Sequence, residues 1–325
     1  MKVLVTGITG LLGGHVAHTL LARGYAVRGL YRTMPRKVER LPWYRDVEWW
    51  PGDLSSEEAL LQAADSCGAI VHAAARTDQH PSDLAHYLEP NVHASERLAR
   101  VARERGIRLV LVSTANVFAP GSMHQPGTEQ SPFGWAGIGS GYSESKHMAQ
   151  NLILDATQKG LDAVVVNPTF MIGGYDLKPS SGAMILHVLN RRVVVYPQSG
   201  GKNFVYVKDA AVGVVNALER GQTGQAYLLA GHNRTYADFM QQVARQAGLR
   251  RTFVAMPAPL LRWAGRQVSR LDRYVPTSIA LNRPNAILLT ADNYYQAGKA
   301  IAQLQLPQTS LEVAIQEAIE WFRAE

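Results

Sequence analysis

The feature that most limits what this chain can fold into is a glycine-rich turn set between an apolar strand and a helix at its start. Residues 2–6 (KVLVT) are a continuous β-prone run, Thr6-Gly7-Ile8-Thr9-Gly10-Leu11-Leu12-Gly13 follows, and a helical pattern runs from Leu11 to about Arg23, where Gly24 stops it. Glycines in such a place permit a tight turn and bring backbone N–H groups up to a pyrophosphate at the helix N-terminus. A glycine triplet alone is weak evidence, because chance matches are common; its position after the first strand of a βαβ pattern gives it weight. The alternation then continues, with short apolar strands at 25–30, 47–50, 69–75, 108–114 and 162–168 and helical patterns at 55–65, 90–105 and 141–159. Each parallel crossover needs a helix, so this order implies an α/β fold: a doubly wound parallel sheet covered on both faces.

After Pro168 the regularity weakens. GGYDLKPSSG reads as a loop, followed by a helix at 182–191, a strand VVVY and an alternating strand NFVYVKD. A helix at 209–220 and the strand AYLLAG (226–231) are placed to return to the main sheet, and the chain from 232 onward reads as mainly helical, with Pro257, Pro259, Pro276 and Pro284 as punctuation. The expected division is a dinucleotide-binding domain over 1–168 plus about 204–231, and a smaller, mostly helical substrate lobe over 169–203 and 232–325.

Composition narrows the function classes. With 46% hydrophobic and 18% charged residues the chain can bury a sizeable core. Its one cysteine, Cys67, cannot form an intramolecular disulfide and reads as a buried small residue. No apolar run approaches the ~18 to 20 residues that cross a bilayer, and MKVLVTG breaks at Thr6-Gly7, too early for a signal peptide. The 33 Lys+Arg against 26 Asp+Glu give +7, but the basic residues are scattered and form no nucleic-acid motif. The expectation is a cytoplasmic globular protein with local anion sites, and no nucleic acid or membrane as partner.

Two constellations carry chemistry. At the end of the second strand, where a carboxylate meets an unmodified ribose, the sequence has Tyr31-Arg32 and no acid before Glu39. An arginine there pairs with a 2′-phosphate, so Arg32 points to NADP rather than NAD, with Arg36 and Lys37 as helpers. Further on, Tyr142 and Lys146 lie four apart in the helical stretch GYSESKHMAQNLI, on one face. A phenol with an unperturbed pKa near ~10 works at neutral pH when a nearby positive charge stabilises its phenolate, and Lys146 supplies one. Ser113-Thr114, at the carboxyl end of the fifth strand, offers a hydroxyl to hold a substrate oxygen.

In these residues the chain resembles the extended short-chain dehydrogenase/reductase family, also called the NAD-dependent epimerase/dehydratase family, with its Rossmann-type fold. The matching motifs are TGITGLLG (6–13), GDL (52–54), HAAA (72–75), NVHASERL (91–98), STANVF (113–118), YSESK (142–146), NPTFMIGG (167–174), FVYVKDAA (204–211) and the C-terminal KAIAQL…LEVAIQEAIEWF, so the resemblance spans essentially the whole chain. It implies a catalytic triad of Thr114, Tyr142 and Lys146. It also implies that Gly7, Thr9, Gly10, Leu11, Leu12 and Gly13 hold the cofactor's phosphates and that Asp53 and Leu54 flank its adenine. Ala73, Ala74 and Ala75 would line its middle, and Pro168 and Met171 its nicotinamide. Asn91 matches a family asparagine near the central helices, or serves as a helix cap. Family members commonly pair through the helices at 90–105 and 141–159, which implies a homodimer.

The implied chemistry is hydride transfer at nicotinamide C4, with Tyr142 as general acid/base toward a small-molecule carbonyl or alcohol. Two reactions compete: net reduction of a ketone or aldehyde, as in dihydroflavonol reductase-like members, and a nucleotide-sugar epimerase or dehydratase with tightly bound NAD. Sugar-nucleotide members carry an arginine for the diphosphate where this chain has Lys202, and a lysine lacks the planar fork that grips phosphate. Reductase is the reading taken forward. A regulator that kept the fold and lost catalysis would need none of the intact Thr114, Tyr142 and Lys146 set. His15 and His18, three apart without further ligands, read as exposed helix; His80, His86 and His93 read first as solvated surface, with His80 or Asp78 reaching the ligand as the alternative, and Lys178, Arg191 and Arg192 could attract an anionic substrate.

Overall fold

Seven strands form one parallel sheet. Across it lie β3 (Val47–Pro51), β2 (Ala26–Tyr31), β1 (Lys2–Thr6), β4 (Ala69–His72), β5 (Arg108–Val112), β6 (Ala163–Pro168) and β10 (Ala226–Leu229). The coordinates are a computed structural model that describes residues 1–34, 38–78, 83–179, 181–271 and 281–324; Arg36, Lys37, His80 and Pro276 lie outside these. The strands are runs of β-branched and aliphatic residues buried on both sides, as in β6, where all six residues are buried. Alternation sorts them between two layers. Val3 and Val5 of β1 face the layer containing α1 (Leu11–Ala22) and α7 (Val207–Arg220), whereas Leu4 faces α2 (Glu57–Ala63), α4 (Ala94–Arg105) and α5 (Gly141–Thr157). The doubly wound sheet expected from the sequence is therefore present, and the order reverses between β1 and β4, where such folds open a crevice.

The helices end where their sequences say they should. Ser56 caps α2 by accepting from the Ala59 N–H, Ser140 caps α5 by accepting from the Ser143 N–H, and α4 stops at Gly106, which has φ 61°. A short turn α3 (Ala85–Tyr87) enters α4 through a π-helical turn, Leu88–His93.

The second lobe holds more strand than its sequence suggests. β9 (Gly201–Tyr206) is the spine of a small sheet, pairing with β7 (Phe170–Ile172), β11 (His232–Thr235) and β13 (Asp292–Asn293). Residues 204–206 thus belong to this sheet, while α7 packs on the large sheet and β10 completes it. A further parallel pair joins β8 (Val193–Pro197) to β12 (Thr252–Met256). β12 lies in the stretch read as helical: its TFVAM is too short to show a period, and its partner is far upstream. Around these strands pack α6 (Gly182–Asn190), α8 (Tyr236–Gln246), α9 (Ala258–Leu271), α10 (Arg283–Leu289), α11 (Gly298–Leu304) and α12 (Leu311–Arg323). Cys67 is buried and free, as its composition reading held.

Asn203 of β9, only 2% exposed, locks the lobe together. Its amide nitrogen donates to Gly231 O, Asn233 Oδ1 and Tyr295 O, and its oxygen accepts from Thr169 Oγ1 and the Gly231 N–H, both at 2.7 Å. Removing it strands several buried partners at once, each costing about 1–3 kcal/mol. The expected cost of Asn203→Ala is about 3 kcal/mol, read as a lowered urea midpoint with an unchanged slope.

Candidate functional site

The glycines of the first turn divide the work of making a cradle. Gly7 has φ 71°, and a Cβ on it would lie 2.4 Å from the Ala74 nitrogen, so only glycine lets the turn press against the end of β4. A Cβ on Gly13 would lie 2.2 Å from Gly7 O, so α1 sits tight on the turn. A Cβ on Gly10 would meet only Gly7 O, at 3.3 Å, and the residue's other side is open to the cleft. Gly10 caps α1 without a side-chain hydrogen bond, and no acidic residue sits in the helix's first turn. Its first N–H groups and the positive end of its dipole are left for an anion.

A cleft of about 840 Å³ opens above this turn, along the carboxyl edge of the large sheet. Seventeen residues assigned to a site from the sequence line it: Gly7, Thr9, Gly10, Leu11, Leu12, Gly13, Arg32, Asp53, Leu54, Ala73, Ala74, Ala75, Thr114, Tyr142, Lys146, Pro168 and Met171; Asn91 and Lys202 do not, and Arg36 and Lys37 lie outside the described residues. At one end, Arg32 follows β2, exposed and without a carboxylate within ion-pair distance among the described residues. Asp53 faces this end, its carboxyl held low by hydrogen bonds from Ser55 and by the nearby Arg32 and Arg97 charges. The shape, the uncapped helix and the glycine cradle fit a dinucleotide.

At the other end lies the tyrosine. Lys146 is 3% exposed and donates from Nζ to Val112 O at 2.7 Å, leaving two ammonium protons for other partners. Burial pulls it down to about 8, so its charge is held close to its titration point. Burial also pushes the Tyr142 phenol up, and a hydrogen bond with Thr114 acts the other way. Thr114 also accepts from the Asn116 N–H at 3.3 Å. Ser113 is buried in the same wall, and its Oγ has no partner among the described residues. Threonine, phenol and ammonium thus meet at one edge of the cleft, a set able to give or take a proton at a bound oxygen.

Other groups stiffen this edge. Thr6 Oγ1 lies 2.7 Å from His72 Nδ1 and accepts from the Ala74 N–H at 3.4 Å, tying the ends of β1 and β4. Asn91 sits in the π-helical turn rather than at a helix cap: its Oδ1 accepts from the Arg76 N–H, and its Nδ2 donates to Arg76 O and to Ser145 Oγ. His15 is not exposed as its sequence neighbourhood suggested. It is 1% exposed and lies 3.0 Å from Gly174 O, among Trp43 and Tyr175; His18 is the exposed one, stacked on Trp43. The lining residues that sequence reasoning missed include Thr33, Ser55, Arg76, Thr169 and Asp176. Arg76 directly follows the HAAA motif, which could have flagged it; the others carry no pattern. Lys178 lines the cleft, whereas Asp78 pairs with Arg76.

Known proteins share this fold and much of this sequence pattern. A model described as the NAD dependent epimerase/dehydratase family matches residues 3–230. A protein of Synechocystis sp. named putative dihydroflavonol 4-reductase is 31% identical, over 98% of this chain and 94% of its own. The crystal structure of gox2253 is 29% identical and superposes with a TM-score of 0.84, covering 99% of this chain and 98% of the other. A Thermus thermophilus UDP-glucose 4-epimerase solved with NAD has a TM-score of 0.79 over 99% of both chains, at 22% identity, a likeness of fold.

Two histidines make the scaffold pH-sensitive. Burial drives His15 down to about 4 and His72 to about 3, the latter helped by the Lys146 charge, so both are neutral in the folded chain at pH 7. The unfolded chain binds their protons from about pH 6.5 downward, so stability is whole above that and falls as pH drops. The expected loss between pH 6.5 and 5 is of the order of 2 kcal/mol per histidine. Urea unfolding across that range checks it, and His15→Gln is expected to flatten the dependence.

Proposed function

The chain belongs to the NAD-dependent epimerase/dehydratase family, an oxidoreductase family working with nicotinamide dinucleotides, and within it we propose that this member is an NADP(H)-dependent reductase of ketones or aldehydes. The observation that carries the cofactor half is Arg32, an exposed guanidinium at the cleft where a carboxylate would repel a 2′-phosphate. The name of the Synechocystis relative, a 4-reductase, supports the reaction half. When bound, the dinucleotide supplies a hydride to the carbonyl carbon.

The chain's own residues do the rest. Thr114 and Tyr142 hydrogen-bond the carbonyl oxygen from one side and fix its distance to the cofactor. Burial keeps the phenol protonated at neutral pH, which suits reduction, where Tyr142 gives its proton to the developing alkoxide. The Lys146 ammonium, fixed by Val112 O, then stabilises the phenolate left behind. The partner is a small-molecule carbonyl or alcohol; Ala73 to Ala75 and Met171 give the middle of the cleft an apolar wall.

A second reading, the sugar-nucleotide epimerase, is favoured by the description of the matching family and weakened at Lys202. This lysine of β9 lies over the Phe170 ring at 5.2 Å, and burial pulls its ammonium to about 8. A cation there suits an anionic substrate, but it has one point charge for a diphosphate that an arginine would grip with a fork.

Three outcomes are expected. Arg32→Ala raises the KM for NADPH about ten- to hundredfold and leaves that for NADH unchanged, because only the 2′-phosphate loses charge-assisted bonds. Equal effects on both, with NAD retained through purification, would move the assignment to the epimerase. Tyr142→Phe lowers kcat for reduction by about a hundredfold or more while NADPH still binds, as fluorescence titration would show. The rate of reduction falls as pH rises through about 8, where the Lys146 ammonium loses its proton.

A further inference from the structure

The substrate lobe carries a surface that the cleft does not explain. Five large apolar side chains stand out in solvent within two stretches: Val193 (50% exposed), Val195 (38%), Val254 (41%), Leu260 (48%) and Trp263 (59%). Val195 and Val254 are register partners in the β8–β12 pair, and Val193 precedes them on the same face. β12 leads through Pro257 straight into α9, where the Leu260 N–H bonds back to Pro257 O, so the apolar positions follow one another along one edge of the lobe. α9 docks on α10 by the face containing Gly265, where a Cβ would lie 2.7 Å from Ala286 Cβ. At 3.6 residues per turn, Trp263 points the opposite way, flanked by Arg266 and Arg270.

Along β8, β12 and α9 the charge of the described residues has one sign. From Phe239 to Leu271 the sequence has six arginines and no aspartate or glutamate, and Arg191 and Arg192 adjoin β8 in a run equally free of acids. Among the described residues, arginines of the nucleotide-binding half such as Arg23, Arg28, Arg97 and Arg100 sit in ion pairs, whereas Arg191, Arg192, Arg262, Arg266 and Arg270 have no carboxylate within 4 Å. Among the described residues, the Arg262 and Arg270 guanidinium groups hydrogen-bond to the neutral Thr290 and Gln267. Exposed tryptophan and leucine interleaved with unneutralised arginines are the make-up of a surface that sits at a lipid headgroup layer. A nucleic acid would use the arginines but gain nothing from three exposed valines and a leucine.

We infer that the β8–β12 edge and the outer face of α9 dock on an anionic lipid bilayer, with Trp263 and Leu260 entering the headgroup layer and the flanking arginines meeting lipid phosphates. No helix among the described residues is long and apolar enough to cross a membrane, so the chain lies on the surface. This revises the expectation of no membrane partner, which rested on the lack of a spanning run and on basic residues that look scattered in sequence. The inference is independent of the reductase reading, because its test needs no turnover.

The experiment is flotation of the full chain with vesicles of phosphatidylcholine and phosphatidylglycerol, against vesicles of phosphatidylcholine alone. Binding is expected to the anionic vesicles only, and to fade at high salt. Each arginine at an anionic surface is worth about fivefold in partitioning, so Arg266→Glu/Arg270→Glu is expected to reduce binding at least tenfold. Trp263→Ser is expected to weaken it too, while Arg103→Glu, a surface charge reversal on α4, leaves most of it. All variants are exposed, and their thermal melts establish that they fold. The inference is overturned by no flotation at low salt, by equal losses in the Arg103 and α9 variants, by retention of a DNA duplex without vesicle binding, or by a dimer in solution that Trp263→Ser dissociates.

Discussion

The close approach of the first turn to the end of β4 is the contact on which the rest of the site depends. Gly7 reaches Ala73 and Ala74 so closely that a single added carbon would collide with the backbone. Thr6 and His72 reinforce the same junction from below. β1 and β4 are neighbours at the point where the sheet's order reverses, and the crevice opens there. The turn also fixes the start of α1, which aims uncapped N–H groups into the crevice and, two residues past Gly13, buries His15 against Gly174 O. That contact ties α1 to the loop that carries Asp176 and Lys178 into the cleft.

The Tyr142–Lys146 edge of the cleft is built on a different element, which Lys146 bonds to β5 and Gln150, accepting from Asn167 Nδ2, bonds to β6. α5 presents Tyr142 and Lys146 one turn apart, and the Lys146 bond to Val112 O fixes their height above β5. Asn91 braces the same helix through Ser145 while satisfying both backbone groups of Arg76. Lys146 is buried and Tyr142 half-buried, and desolvation lowers the pKa of the ammonium and raises that of the phenol. The pair is left with a protonated acid and a nearby stabilising charge at neutral pH, the state that reduction requires.

The large sheet and its cleft were legible in the sequence because they rest on local signals. Strands of continuous β-branched residues, glycines at a strand–helix junction and a four-residue tyrosine–lysine spacing all follow from backbone geometry within one or two elements. The second lobe was less legible. β12 is five residues long with a partner more than fifty residues away, and β9 is buried on both faces, so its period vanishes. His15 was misread because its burial comes from Trp43 and Tyr175, which its own helix does not reveal. Arg32 stands out in the sequence by what it replaces, a carboxylate at the end of β2. The surface of α9 could not be read from sequence, because only the packing of Gly265 on α10 shows which face is turned outward.

The central claim is net hydride delivery from NADPH to a carbonyl held by Tyr142 and Thr114. The most direct measurement mixes the protein with NADPH deuterated at nicotinamide C4 and a panel of ketones and aldehydes, and follows the nicotinamide absorbance and the label together. The expected result is loss of NADPH matched one for one by alcohol carrying deuterium on the carbinol carbon, abolished in Tyr142→Phe. A tightly held dinucleotide whose redox state is unchanged after turnover, with no label in any alcohol, would contradict it.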